Sequence, residues 1–175
     1  MNSCKVWGVV MEATEIHAAL AAAVEEVLET MCFLSVNASG EGAGPADLEA
    51  IPEAADEEDA RMLTSELRFE GRMPGTFRLS LPMDLAQVAG AAFLALDEPA
   101  ATDAQAGEVV CELANMICGA ALGRLEHGTI FRLSHPELIP DLQDLNPSPS
   151  GSVRWFDTGE GFLTVALALQ PEYAV

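Results

Sequence analysis

The chain has 175 residues, half of them apolar, which suits one globular domain with a sizeable core and does not suit a disordered chain. Its formal net charge is −20, from 28 acidic and 8 basic residues, which argues against nucleic acid or an anionic membrane surface as a partner. No stretch approaches the roughly 20 uninterrupted apolar residues that span a bilayer.

At the N-terminus, Val6–Met11 is apolar but too short for the core of a secretory signal. Met11-Glu12-Ala13-Thr14 reads as the natural start of a helix, so residues 1–10 are read as an extension and 11–175 as a single domain. Thr14–Phe33 is rich in Ala, Glu and Leu, and Ile16, Leu20, Val24, Val27, Leu28 and Met31 form an apolar stripe at helical spacing. Glu25, Glu26 and Glu29 then fall on the solvated face. A short strand is expected at Ser35–Ala38. Ser39–Ala60 carries Gly, Pro and eight acidic residues with no basic one, so it reads as a mobile acidic loop.

A hairpin is expected next. Leu67 and Phe69 alternate with Glu66, Arg68 and Glu70, while Phe77, Leu79 and Leu81 alternate with Thr76, Arg78 and Ser80. Gly71-Arg72-Met73-Pro74-Gly75 between them has a turn composition. Asp84 is read as the cap of a short helix ending near Leu96. Asp103 is read as the cap of a long helix over Asp103–Leu125, with Gly107 a mild irregularity. Thr129–Leu133 follows as a strand ended by Pro136 and Pro140, then a Pro/Ser-rich loop over Asp141–Ser152. A second hairpin pairs Val153–Phe156 with Phe162–Gln170 around Thr158-Gly159-Glu160-Gly161. In its last strand Leu163, Val165, Leu167 and Leu169 form the face expected to pack on the helices. The small face of Thr164, Ala166 and Ala168 suits close contact with another surface or subunit. Helices on one side of hairpin-built sheets make an α+β fold.

Cys4, Cys32, Cys111 and Cys118 form no Cys-x-x-Cys pair, and Cys111 and Cys118 stand two helical turns apart, too far for an undistorted disulfide. They read as small buried or half-buried residues of a reducing cytosol. His17, His127 and His135 are scattered without metal-ligand spacing, so no metal of its own is expected. No Ser, Cys or His stands in a recognised nucleophile motif such as Gly-x-Ser-x-Gly.

The chemistry concentrates in the long helix. Taking ~100° per residue, Glu108, Glu112, Asn115 and Gly119 share one stripe, well away from the apolar stripe of Val109, Leu113, Met116, Ile117 and Ala120. Glu112 and Asn115 are three apart, so a carboxylate and a carboxamide project together. Asn and Gly are both poor helix formers, and a bare Gly119 lets another molecule approach the Asn closely. On pattern alone such a stripe reads first as a solvated helix face.

The surrounding run Glu112-Leu113-Ala114-Asn115-Met116-Ile117-Cys118-Gly119, followed by a strand and Ser134-His135-Pro136, resembles the CheC/CheX family of chemotaxis phosphatases, most closely the CheX branch. Glu112, Asn115 and Pro136 match that family's signature. Glu108 stands at its first position, where the family has Asp or Ser. The resemblance implies a CheC-like fold of two related halves. No other asparagine has a Glu three residues before it, so one site per chain is expected, in a homodimer. It implies a cytoplasmic phosphatase whose substrate is the aspartyl phosphate of a CheY-type response regulator. Asn115 would align water, Glu112 would pair with a receiver Lys, Glu108 and Gly119 would meet the partner, and Pro136 would shape the rim. No cofactor of its own is implied, because the receiver brings the Mg²⁺. The alternative on the same residues is a non-catalytic module that docks a receiver or a flagellar or other signalling partner.

Overall fold

A computed structural model describes residues 3–6, 9–42, 61–71, 74–125, 130–140 and 151–170. The strands are β1 (Ser3–Val6), β2 (Val9–Glu12), β3 (Ala38–Glu41), β4 (Met62–Glu70), β5 (Gly75–Pro82), β6 (Arg132–Leu133), β7 (Glu137–Ile139), β8 (Gly151–Asp157) and β9 (Phe162–Leu169). The helices are α1 (Ala13–Val27), α2 (Met83–Phe93) and α3 (Asp103–Leu125). β1 and β2 pair with each other. The remaining strands form one antiparallel sheet in the order β3-β8-β9-β5-β4-β6, with β7 also paired to β4. The alternation read from the sequence sets its faces. Leu67, Phe69, Phe77, Leu79, Leu81, Leu163, Val165, Leu167 and Leu169 are all buried against the helices. The opposite face carries a Thr64–Ser80 hydroxyl pair at 2.9 Å and an Arg78–Glu66 ion pair at 2.6 Å. This is the expected α+β fold.

α1 buries Ile16, Leu20, Val24 and Val27, and its last turn widens into a π-helical turn over Leu28–Cys32. Phe33 closes that turn in the left-handed region (φ 56°), donating its N–H to the Leu28 carbonyl. α3 buries Val109, Leu113 and Ile117 as expected, and Val110, Ala114, Cys118, Ala121 and Leu122 besides. At 23 residues α3 is long and apolar enough to cross a bilayer by length and composition alone, but its apolar side is taken up by this core.

Several boundaries differ from the sequence reading. Met11 and Glu12 belong to β2, so α1 starts at Ala13. The first short strand lies at Ala38–Glu41 rather than Ser35–Ala38, set by its pairing with β8. Asp84 does not cap α2. Pro82 holds the cap position without a side-chain bond, and the free N–H of Met83 is taken by the Arg61 carbonyl at 2.8 Å. α2 stops at Phe93, because Leu96 and Ala95 donate back to the Ala91 and Ala92 carbonyls with Ala95 at φ 51°, a Schellman closure made without glycine.

The cap of α3 is Thr102, not Asp103. The Thr102 hydroxyl accepts the Gln105 N–H at 3.3 Å and the Gln105 carboxamide oxygen accepts the Thr102 N–H at 2.9 Å, a reciprocal capping box. Asp103 is thereby free to bind Arg61 Nη2 at 2.5 Å and Gln87 Nε2 at 2.9 Å, tying α3 to the lead into β4 and to α2.

The strand expected at Thr129–Leu133 is only Arg132–Leu133, and the chain pairs with β4 again at Glu137–Ile139. Residues 43–60 and 141–150, read as loops, lie outside the described residues.

Candidate functional site

α3 presents Glu108, Glu112 and Gly119 to solvent, with Asn115 half-buried between them. The helix forms where it does because a capping box starts it and an apolar stripe fixes its rotation on the sheet. That rotation leaves the Glu108–Gly119 stripe facing outward. Among the described residues, none of the Glu108, Glu112 or Asn115 side chains makes a hydrogen bond or ion pair. A carboxylate and a carboxamide about 5–6 Å apart at Cβ are thus fully available to an outside group.

The side of α3 next to Asn115 is bordered by the β6–β7 segment. Leu133 pairs with Phe69 and Glu137 with Glu66, so the edge strand carries one residue more than β4 between those two points. That is a β-bulge, and it contains Pro136, which has no N–H to give to a ladder. Ser134 holds the bulge in place: its N–H bonds the Arg68 carbonyl at 2.8 Å and its Oγ accepts the Arg68 N–H at 2.9 Å. Pro136 itself is buried.

Two glycines of α3 show how the segment runs. A Cβ added to Gly119 would stand 3.8 Å from Leu133 Cδ1, and one added to Gly107 would stand 2.9 Å from Leu138 Cδ1. The segment therefore runs antiparallel to α3 across about 18 Å of helix. Its bulge passes the helix between those points, at the level of Glu112 and Asn115. The structure thus brings Glu108, Glu112, Asn115, Gly119 and the Pro136 bulge to one face. Sequence reasoning missed β7 and Leu138, because three residues between two prolines give too short an alternation to read as a strand.

The thiols play different parts. Burial pushes the Cys32 thiol up to about 11 and the Cys118 thiol up to about 12, so both stay protonated and inert. Cys111 is half-buried behind the stripe, with the Ser65 hydroxyl 3.5 Å from its sulfur. The described residues contain no group of three metal-ligating side chains. The face is a convex helix surface, suited to a macromolecular partner more than to an enclosed small molecule.

Comparison with known proteins gives the family and the fold. Residues 63–153, just over half of the chain, match the family model described as chemotaxis phosphatase CheX. No curated protein sequence matches. Among solved structures, the chain is similar to a protein in a CheX-CheY-BeF3-Mg+2 complex from Borrelia burgdorferi (16% identity, 89% of this chain and 97% of that one, TM-score 0.64). It is also similar to CheX of Desulfovibrio desulfuricans (21%, 89% and 99%, 0.64) and of Vibrio vulnificus (16%, 89% and 97%, 0.65). Identities this low speak for the fold, and the family follows from the model match, which runs from Leu63 in β4 past β7 and includes all of α3: the chain belongs to the CheX family of chemotaxis phosphatases.

Proposed function

We propose that this protein hydrolyses the aspartyl phosphate of a CheY-type receiver domain. The observation that carries the reading is the unpartnered Glu112/Asn115 pair, one turn apart on an outward face of α3 beside the Pro136 bulge. Family membership and the fold shared with a CheX crystallised with CheY support it.

Aspartyl phosphate is a reactive acyl phosphate, and the receiver supplies its own acidic pocket and Mg²⁺. The phosphatase has only to place water in line and hold the two proteins in register. Phosphoryl transfer depends mostly on positioning and electrostatics. The Asn115 carboxamide donates and accepts hydrogen bonds at once, so it aligns the attacking water. Its half-burial beside the bulge limits its rotamers and makes that alignment repeatable. Glu112, exposed, pairs with a receiver Lys and fixes the register. Glu108 adds a second carboxylate one turn away. Gly119 leaves the backbone open for close approach. The working unit is a cytoplasmic homodimer, which sedimentation of the purified protein tests.

The test is the decay of phosphorylated CheY-type receivers with catalytic amounts of wild type or Asn115→Ala. Acceleration that vanishes in the variant supports the reading. Equal acceleration by both overturns the role of Asn115, and no acceleration with receivers of the same organism leaves a docking module.

A further inference from the structure

Leu138 is a large apolar side chain left 48% exposed at a sheet edge. Its strand, β7, pairs Leu138 with Ser65, whose hydroxyl touches Cys111 of α3. Its Cδ1 occupies the space over Gly107, 2.9 Å from where a Cβ would stand, which is closer than real Cβ atoms come. Gly107 is buried in the helix interior, where glycine costs up to about 1 kcal/mol against alanine. The helix thus carries a weak residue at the one level where Leu138 lies on it. Leu138 is thus seated on the bare backbone of Gly107, next in sequence to Glu108 at the N-terminal end of the Glu108–Asn115 stripe, with part of its surface left open to solvent.

We infer that Leu138 is a specificity-determining contact of this face and that Gly107 is the positioning residue that seats it. The inference rests on the phosphatase reading above and adds to it the chemistry of the partner. The receiver surface that docks here presents a basic side chain to Glu112 and an apolar side chain about one and a half helical turns away, to be covered by Leu138. The charged contacts set register and encounter rate, while the apolar one separates receivers that are alike in charge.

Steady-state dephosphorylation is measured with the receiver that wild type turns over best, alongside the affinity for the same receiver activated with beryllofluoride. Leu138→Ala should raise KM about fivefold and weaken that affinity equally, with kcat kept, because it removes binding common to ground and transition states. Gly107→Ala pushes Leu138 off its seat and should raise KM similarly. The double variant Gly107→Ala/Leu138→Ala should be no worse than Leu138→Ala alone, since the methyl then has room. This non-additivity also keeps the test informative if Gly107→Ala folds poorly by itself.

Unchanged KM and affinity in Leu138→Ala, in a protein that still loses turnover on Asn115→Ala, overturns this inference and leaves the phosphatase intact. Additive effects of the two substitutions overturn the role of Gly107. A wild-type protein that neither dephosphorylates nor binds a receiver overturns both readings together.

Discussion

α1 with its π-turn and α3 lie on the same side of the sheet and show the same acidic spacing. Glu25 and Glu29 stand four apart and exposed on the first, as Glu108 and Glu112 do on the second. Three residues on, the helices part. Cys32 is swallowed by the core as the π-turn widens, whereas Asn115 stays at the surface. Their surroundings differ too. Glu26 of α1 is neutralised by Arg124, while Glu108 and Glu112 have no cationic neighbour in contact among the described residues and lie along a bulged edge strand. A pair of exposed glutamates at helical spacing is therefore only a solvated surface. In the function proposed above, a carboxamide at the third position, on a helix lined by a bulged edge strand, is what turns that surface into a site.

The most direct way to break this comparison is Asn115→Ala, expected to cost about a hundredfold or more in turnover while receiver affinity stays near wild type. Single-turnover decay of phosphorylated receiver reads the first, and titration with beryllofluoride-activated receiver reads the second. Next in size is Glu112→Ala, expected to raise KM about tenfold, with the difference shrinking as salt is added. Glu29→Ala is its counterpart on α1 and should change neither constant. Equal losses from Glu112→Ala and Glu29→Ala would mean that the acidic surface acts only through its overall field.

How much of this was legible in the sequence depended on what kind of interaction set each feature. Faces of helices and strands come from periodicity, so the buried rows at Ile16–Val27, Val109–Ile117 and Leu163–Leu169 were readable, and so was the outward stripe of α3. Caps were misread because several candidates compete. Thr102 beat Asp103 through its partner Gln105, a capping box that the sequence does spell as Thr-x-x-Gln. The rim was the least legible part. β7 is three residues long and exists only because β4 offers an edge, and the bulge is a difference in count between two distant strands. Long-range pairing of that kind leaves almost no local trace. Pro136 hinted at it, but the contact of Leu138 with Gly107 is visible only in three dimensions.

Gly119→Ala sharpens the comparison from the other side, by separating what the fold wants from what a partner wants. Among the described residues, a methyl there meets only Leu133 Cδ1 at 3.8 Å, ordinary van der Waals contact. Alanine should therefore stabilise the helix by up to about 1 kcal/mol and raise Tm by about 2–4 °C. If the receiver's backbone approaches α3 over this residue, the same methyl should raise KM several-fold. A gain in Tm with no loss in KM would show that the glycine does not serve docking.

The smallest effect expected concerns how firmly α3 is held. Asp103 links α3 to Arg61 and Gln87, and the hydrogen bond and charge of Arg61, with a lesser part from Gln87, hold its carboxyl below the usual 3.8 despite a small opposing effect of burial. A carboxyl whose folded pKa is depressed contributes stability that is whole above its unfolded value and drains as pH falls through the folded one. Asp103→Asn should thus lower Tm slightly at neutral pH. The gap from wild type should begin to close as pH falls below about 4 and vanish only below the depressed folded value, where the wild-type carboxyl is protonated in both states. Because both groups are exposed, the gap should be modest and should narrow in high salt. α1 offers the control: among the described residues Glu25 makes no comparable tie, so Glu25→Gln should leave the Tm profile against pH unchanged. A gap for Asp103→Asn that stays constant down to low pH would instead assign its cost to the lost geometry of the Gln87 and Arg61 contacts rather than to their charge.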